Sequence, residues 1–248
     1  MSPLSQPSQA RKVALVTGGA VRVGRALSLG LAEAGYDVAI HYHSSDGAAR
    51  EVARLVDGLG RQTFLIEGDL GRPEDVERVA RSVGERFGRL DLLVNSAASF
   101  EEAELLAVDA EAWDRVMALN LRAPFLLVRA SAELLRASHG TVVNVLDLGA
   151  VEPWTHHPHH AVSKAGLLHL TRILARVLAP QVRVNAVAPG SVLLPEGLGD
   201  DFAERERRRT PLGRVGSPED VLRTVLFLTA SPFITGEVIV VDGGRSLA

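Results

Sequence analysis

Cysteine is absent from all 248 residues of the chain. The protein can therefore form no disulfide bond, and no thiolate can serve as a nucleophile or a metal ligand. Long apolar runs are also missing. No stretch approaches the roughly 20 apolar residues that a membrane-spanning helix needs, and residues 1–10 lack the apolar centre of a signal peptide. We expect a cytoplasmic protein that does not bind membranes.

Charge of one sign is not in large excess either. The 27 basic residues face 30 acidic ones, so the net charge of −3 provides no basic field for nucleic acid, which we do not expect as a partner. No linker rich in Pro, Gly or Ser interrupts the chain after residue 10. The sequence predicts a flexible tail over residues 1–10 and one domain over residues 11–248.

Short apolar runs alternate with amphipathic segments along the chain. This alternation predicts an α/β fold with one Rossmann-type doubly wound parallel sheet of about seven strands and helices on both faces. Ligands of such sheets bind beyond the carboxyl ends of the strands. The predicted strands are 13–16, 38–40, 63–66, 90–94, 141–146, 182–187 and 238–241, and the helices start near 22 and cover 48–59, 73–87, 113–135, 161–178 and 218–228.

The first strand leads into a glycine-containing turn that predicts a dinucleotide site. Gly18 and Gly24 permit a tight turn and a close approach of the backbone. The helix that starts near Arg22 and Val23 directs free N–H groups toward a pyrophosphate. Arg22 stands where the usual fingerprint has its middle glycine.

The end of the second strand indicates which dinucleotide binds. In NAD sites an acidic residue near this point bonds the ribose 2′-hydroxyl, whereas here no acid occurs before Asp46. Polar side chains that can donate to a 2′-phosphate stand there instead, and we expect NADP(H). The alternative is that they merely close the strand. These candidates are His41, Tyr42, His43, Ser44 and Ser45.

Two later strand ends supply further candidate cofactor contacts. Asp69 and Leu70 follow the third strand and are placed to hold the adenine. The turn that contains Asn95 and Ala97 follows the fourth strand, and its backbone can pass close to the nicotinamide ribose.

These positions together resemble the short-chain dehydrogenase/reductase superfamily from Lys12 onward. The resemblance implies cofactor contacts at Pro189, Gly190 and Ser191, a substrate lid near residues 191–214, and a homotetramer or homodimer. The positions that carry it are Thr17, Gly18, Gly24, Asp69, Asn95, Asn120, Lys164, Pro189, Gly190, Thr235, Gly236 and the closing 241–244.

Within that superfamily the sequence is most similar to the pteridine reductases. Arg22 in the glycine turn, residues 41–43, Phe100 and Asp147 carry this similarity, Asp147 standing where most members have serine. It implies that Arg22 contacts both the cofactor phosphate and the substrate, that Asp147 contacts the substrate, and that Phe100 stacks on a pterin. An ordinary lid hydrophobe is the alternative interpretation of Phe100.

One catalytic position departs from the superfamily. Its Tyr-x-x-x-Lys motif appears here as His160 and Lys164, and the only tyrosines, Tyr36 and Tyr42, lie far upstream. His160 either donates or relays the substrate proton, or positions other groups while water or Asp147 supplies it, or marks lost catalysis. In the family the lysine also holds the nicotinamide ribose. The candidate catalytic residues are Asn120, Asp147, His160 and Lys164.

Two polar clusters carry weaker signals. The histidines within residues 156–160 are not expected to bind a metal, because Pro158 interrupts them and no cysteine is available. The charged run at residues 204–209 is typical of a solvated helix face. Steering of an anionic substrate by residues 207–209 is the alternative.

The residues therefore support three functions. The first is NADPH-dependent reduction of a pterin or folate. The second is reduction of another carbonyl compound such as a 3-oxoacyl thioester, which the segment from Pro211 onward resembles equally. The third is an NADP-binding protein with impaired catalysis, because the tyrosine is missing.

Overall fold

The computed structural model describes residues 11–194 and 200–248, so the predicted tail and residues 195–199 of the predicted lid lie outside the described residues. The strands are β1 (Val13–Val16), β2 (Asp37–Tyr42), β3 (Thr63–Glu67), β4 (Leu92–Asn95), β5 (Thr141–Val145), β6 (Arg183–Pro189) and β7 (Val238–Val241). The α-helices are α1 (Arg22–Glu33), α2 (Asp46–Gly58), α3 (Pro73–Phe87), α4 (Ala110–Met117), α5 (Ala123–Ala137), α6 (Pro158–Leu178), α7 (Asp200–Arg208) and α8 (Pro218–Ala230).

The strands form one sheet in the order β3-β2-β1-β4-β5-β6-β7, and every neighbouring pair is parallel. The chain first builds outward from β1 to β3 and then returns to add β4 on the other side of β1. This reversal leaves a crevice beyond the carboxyl ends of β1 and β4, where doubly wound sheets bind their ligands. The predicted Rossmann-type fold is confirmed.

Successive side chains of β1 enter opposite layers of the core. Val13 and Leu15 pack with α3, α5 and α6, whereas Ala14 and Val16 pack with α1, α2 and α8. All four are at most 2% exposed. This two-sided burial explains why the strand is continuously apolar, since the side chains of a strand alternate between two covered faces.

The segment predicted as one helix over residues 113–135 is divided. A single π-helical turn, Ala118–Arg122, separates α4 from α5. Pro124 lies in the first turn of α5, where its ring opposes the carbonyl four residues earlier and no N–H is available. The hydrogen-bond ladder widens at this point, which brings Asn120 into a buried position.

His41 corrects one expectation about the cofactor. Its side chain is 2% exposed, its Nδ1 accepts from the Gly18 N–H at 3.2 Å, and its Nε2 donates to the Gly68 carbonyl at 3.0 Å. Both ring nitrogens are thus used to join the ends of β1, β2 and β3. His41 is a structural brace and offers no donor to a 2′-phosphate.

No helix in the described ranges combines the length and apolar character needed to cross a membrane.

The buried state of His41 predicts a pH-dependent stability. Burial lowers its pKa from 6.5 to about 4, so below pH 6.5 the unfolded chain takes up a proton that the folded protein refuses until about pH 4. Stability therefore falls between these pH values, by about 3 kcal/mol in total, and this residue contributes no slope above pH 6.5. Thermal or urea unfolding measured from pH 4 to 8 checks this.

His41→Gln can keep both hydrogen bonds without titrating, so its profile should be flatter than that of the wild type over this range. His169→Gln is the matched control, because His169 lies on the exposed face of α6. Parallel profiles for wild type and His41→Gln would contradict the assignment.

Candidate active site

The glycine turn after β1 is shaped by close backbone contacts. A Cβ on Gly24 would lie 2.0 Å from the Gly18 carbonyl oxygen, and Gly18 itself has a φ of +61° and lies against Ala97. Two partly buried hydrogen bonds join this turn to the loop after β4, because the Thr17 hydroxyl accepts from the N–H groups of Ser96 and Ala97 at 2.9 and 3.0 Å. The turn keeps the open backbone surface that a pyrophosphate needs.

Arg22 has a backbone conformation that is usually found at glycine. Its φ is +51°, a left-handed conformation that costs a residue with a Cβ about 1–2 kcal/mol. Its guanidinium donates to the Leu193 carbonyl at 3.2 Å, beyond the end of β6. Arg22 therefore places a positive charge at the entrance of the crevice and joins the two loops that flank it, while Val23 packs against the core.

The end of β2 and the loop that follows it contain both buried and exposed side chains. The Tyr42 hydroxyl donates to Asp46 at 3.1 Å and its ring is buried, which corrects the expectation that Tyr42 faces the cofactor. The hydrogen bond from Arg50 holds the pKa of Asp46 below its ordinary value, so that carboxylate is already paired. His43 and Ser44 are exposed.

His43 borders a cavity of about 370 Å³ beyond the ends of β2 and β3, whose wall also includes Asp69, Arg72 and Arg78. The Asp69 carboxylate accepts from the Gly71 N–H at 2.9 Å. Leu70 differs from expectation, since its side chain is 3% exposed and lies in the core. Only its backbone can contact a nucleotide.

Asn95 at the end of β4 is also turned inward. Its Nδ2 donates to Asn144 Oδ1 at 2.8 Å, and Asn144 in turn donates to Thr171 on α6 at 2.8 Å. This buried chain of amides joins β4, β5 and α6. The Asn95 side chain therefore bonds inside the protein and does not face the cofactor. The backbone of the neighbouring Ala97 faces the glycine turn.

Asp147 and His160 form the most closely coupled pair of the site. His160 Nε2 lies 2.5 Å from Asp147 Oδ2, and His160 Nδ1 lies 2.7 Å from the Ser99 carbonyl oxygen. A carbonyl and a carboxylate are both acceptors. The contact with the carbonyl therefore contains the Nδ1 proton, and the contact with the carboxylate contains a second proton that either Nε2 or Oδ2 can carry.

The two members of this pair differ in accessibility. The His160 side chain is 2% exposed, whereas that of Asp147 is 19% exposed. Asp147 Oδ1 is buried and has no hydrogen-bond partner among the described residues. Asp147 is thus the member that reaches the crevice, and His160 stands behind it.

Asn120 fixes the carbonyl on which His160 depends. Its Oδ1 accepts from the Ser99 N–H at 2.8 Å, and its Nδ2 donates to the Ser99 carbonyl at 3.0 Å and to the Ser163 hydroxyl at 3.0 Å. The Asn120 side chain thus bonds both the N–H and the carbonyl of Ser99. Asn120 therefore orients the imidazole through the backbone of Ser99, a role that the sequence did not indicate.

Lys164 lies one turn after His160 on α6. Its Nζ donates to the Val145 carbonyl at 2.7 Å and its side chain is buried. Burial lowers the pKa of Lys164, and the charge of Asp147 opposes this. The amine has further N–H groups beyond the one given to Val145, which suits the ribose contact that the family resemblance implies.

Aromatic rings surround the pair. Phe100 is 59% exposed, stacks on His157 at 4.0 Å between ring centroids, and meets His160 edge-on at 4.7 Å. A Cβ on Gly149 would come within 2.9 Å of both Trp154 and Asp147 Oδ1, so glycine is what allows the indole to approach. Trp154 was not predicted from the sequence, because nothing in its spacing indicates a site residue.

The loop after β6 lies at the same edge. The Gly190 N–H donates to the Val241 carbonyl at 3.0 Å, and a Cβ on Gly190 would lie 2.8 Å from the Cβ of Asp242. Pro189 ends β6 and Ser191 begins the loop toward α7. Their contact with a cofactor stays a prediction.

The charged run on α7 has two different faces. Glu204 pairs with Arg207 and Arg208 at 3.2 and 3.0 Å on the exposed side, as expected for a solvated helix face. Glu206 is 4% exposed and faces inward. Across the described ranges no group of three or more His, Asp or Glu side chains could hold a metal ion.

Known proteins resemble this chain over nearly its whole length. A family model described as enoyl-(acyl carrier protein) reductase matches residues 19–246. The L-rhamnose 1-dehydrogenase (NAD(P)(+)) of Sphingomonas sp. strain SKA58 is 33% identical over 94% of this chain and 95% of its own length. A 3-oxoacyl-[acyl-carrier-protein] reductase of Staphylococcus epidermidis is 33% identical over 94% and 98%.

A solved structure from Burkholderia xenovorans, described as a short-chain dehydrogenase/reductase, is 34% identical and superposes with a TM-score of 0.90 over 97% of this chain and 100% of the other. The chain belongs to the short-chain dehydrogenase/reductase superfamily of oxidoreductases.

Proposed function

We propose that this enzyme is an NADP(H)-dependent carbonyl reductase in which Asp147 delivers the proton to the carbonyl oxygen. The observation that carries the proposal is the 2.5 Å contact between His160 Nε2 and Asp147 Oδ2, in which Asp147 is the more accessible member. Its substrate is a 3-oxoacyl thioester or a related ketone, a proposal supported by the relative named above as a 3-oxoacyl-[acyl-carrier-protein] reductase.

The pterin hypothesis loses two of its supports. Asp147 has a partner within the protein, His160, so its presence does not by itself point to a pterin. One face of Phe100 is covered by His157. None of the proteins compared above carries a pterin or folate in its name, so we treat pterin reduction as an outcome for the experiment to reveal.

Proton delivery follows from the arrangement of the pair. When NADPH is bound it supplies the hydride that converts the carbonyl carbon to a carbinol, and the oxygen must then receive a proton. Asp147 passes on the one proton of its contact with His160, which leaves a carboxylate and a neutral imidazole until solvent restores the proton. The second proton stays on Nδ1, whose N–H still donates to the Ser99 carbonyl and keeps the ring in its orientation. A positioned acid of this kind contributes about 10²–10⁴-fold to the rate.

Lys164 and the glycine turn hold the cofactor in this proposal. The Gly18–Gly24 contact leaves no room for a side chain at Gly24, and Arg22 adds a positive charge beside the place where a pyrophosphate would lie. Lys164 binds the nicotinamide ribose with the N–H groups not used by Val145. Asp69, Ala97 and the loop 189–191 complete the proposed cofactor contacts.

NADP(H) is favoured over NAD(H) at the end of β2. His43 and Ser44 are exposed there, and the first acid, Asp46, is already paired with Arg50 at 2.8 Å. No free carboxylate therefore faces a ribose 2′-hydroxyl in this loop among the described residues. The side chains that remain are donors suited to a phosphate.

We also infer that residues 11–248 act as one reductase domain in the cytoplasm. A homotetramer or homodimer is supported by apolar side chains that stay exposed on α5 and α6, namely Phe125, Ile173 and Val177.

The proton donor is tested by NADPH oxidation with an acetoacetyl thioester, dihydrobiopterin and dihydrofolate. We expect turnover of the thioester, and Asp147→Asn should lower kcat by 10²–10⁴-fold because an amide cannot release a proton. His160→Ala should lose about tenfold less activity, since water can supply the proton to Asp147. NADPH affinity should change less than threefold in both variants.

The double variant Asp147→Ser with His160→Tyr restores the serine and tyrosine that most of the superfamily carries, and it serves as the control for an intact scaffold. Turnover by this variant beside an inert wild type would identify a protein with impaired catalysis. Turnover of dihydrobiopterin or dihydrofolate alone would reject the carbonyl substrate. A loss in His160→Ala that exceeds the loss in Asp147→Asn would reject Asp147 as the terminal donor.

Cofactor preference is tested by fluorescence titration. We expect NADPH to bind at least tenfold more tightly than NADH, and Ser44→Asp to weaken NADPH binding at least tenfold while NADH binding is kept, because a new carboxylate repels the 2′-phosphate. Ser138→Asp is the matched control, because it adds the same charge just before β5, at the amino ends of the strands. It should change the affinity for neither NADPH nor NADH. Tighter binding of NADH to the wild type would refute the NADP(H) proposal.

A further inference from the structure

Glu206 is a buried acid that the proposed chemistry does not use. It lies on α7, a helix made almost entirely of charged residues, yet its side chain is only 5% exposed. A buried carboxylate is costly unless charged and polar partners compensate it. The contacts around Glu206 therefore indicate the role of this carboxylate in the structure.

Three chain segments meet at this carboxylate. Glu206 Oε2 accepts from the Ser191 hydroxyl at 2.6 Å and forms an ion pair with Arg245 Nη1. Arg245 Nη1 also donates to the Ser191 hydroxyl at 3.2 Å. The triad joins α7, the loop after β6 and the turn Arg245–Leu247 near the end of the chain.

Close backbone contacts hold the same three segments together. A Cβ on Gly243 would lie 2.6 Å from Thr210 Cγ2, just beyond α7, and the Leu212 N–H donates to the Gly243 carbonyl at 3.1 Å. The Thr210 hydroxyl donates back to the Glu206 carbonyl at 2.9 Å. The ion pair thus lies within a tightly fitted junction.

The loop held by this junction borders the crevice. Ser191 follows the carboxyl end of β6, and two residues later the Leu193 carbonyl accepts from Arg22 of the glycine turn. The loop is therefore fixed on one side by Arg22 and on the other by Glu206 and Arg245. Its position decides how closely α7 approaches the site beyond the sheet.

We propose that Glu206 and Arg245 are positioning residues that lock α7 onto the loop after β6 and thereby set the affinity for the carbonyl substrate. The pair touches neither the Asp147–His160 dyad nor Lys164, so it acts through the placement of Ser191 and α7. The effect on substrate affinity rests on the proposed function, whereas the locking of α7 does not.

The locking is tested on the protein alone by limited digestion with trypsin, which cleaves after the arginines of α7 and Arg209. Glu206→Gln keeps every cleavage site but removes the negative charge, and cleavage within residues 205–209 should accelerate at least tenfold. Glu204→Gln is the matched control, because it makes the same change on the same helix and frees the exposed Arg207 and Arg208. It should accelerate cleavage less than threefold.

The role of Arg245, which forms the ion pair with Glu206, is tested by one replacement that keeps the charge and one that removes it. Arg245→Lys keeps the charge and should retain slow cleavage, whereas Arg245→Met should behave like Glu206→Gln. Thermal unfolding of each variant separates local release from global loss of stability. Equal cleavage rates in Glu206→Gln and Glu204→Gln at matched unfolding temperatures would overturn the lock.

The effect on the site is tested by kinetics with the acetoacetyl thioester. Glu206→Gln and Arg245→Met should raise KM at least fivefold while kcat falls less than threefold, and Arg245→Lys should recover a KM near that of the wild type. A lower unfolding temperature with an unchanged KM would show a purely structural pair and overturn the positioning role. An inert wild type with the trypsin results as expected would reject the proposed function and leave the lock intact.

Discussion

In a sheet whose strands are all parallel, every connection must cross a face before the next strand begins, so the loops that follow the strands gather at one edge. In this enzyme that edge receives the glycine turn after β1, the Asn95–Phe100 segment after β4, Asp147 after β5 and Ser191 after β6. Residues far apart in sequence meet there because of strand direction alone. The site depends on this constraint more than on any single contact.

The apolar pattern of the sequence was sufficient for the fold. Strands buried on both faces leave continuous apolar runs, and the structure places all seven where the runs predicted them, with ends shifted by at most two residues. The break at Ala118–Arg122 was not visible in that pattern. It comes from Pro124, whose missing N–H and ring interrupt a helix that otherwise keeps its amphipathic spacing.

Polar residues in buried segments were harder to place. His41 follows Ala39 on one side of β2, so period-two alternation directs it inward, but a polar residue at a strand end fits a ligand contact equally well. Glu206 lies four residues after Phe202, which puts both on one face of α7, and four residues before Thr210, just beyond the helix. Sequence alone could not show that a carboxylate on that face would find Ser191 and Arg245.

The resemblance to pteridine reductases rested on single residues whose meaning depends on their neighbours. Asp147 is the clearest case, because a histidine at position 160 with Nδ1 held by Ser99 needs an acceptor or a proton partner at Nε2. The aspartate and the histidine therefore have to be interpreted together, as one hydrogen-bonded pair. Superfamily membership, by contrast, rests on similarity over the whole chain.

The proton of the His160–Asp147 contact also links the dyad to the buried amine one turn along α6. While that proton is present it offsets part of the negative charge of Asp147, so the carboxylate stabilises the desolvated Lys164 ammonium less than it otherwise would. Once the proton has gone to a substrate oxygen, the imidazole is neutral and the carboxylate attracts the ammonium alone. Proton release is therefore coupled to a more stable charge on Lys164, and burial, which disfavours that charge, makes this electrostatic gain larger than it would be in water.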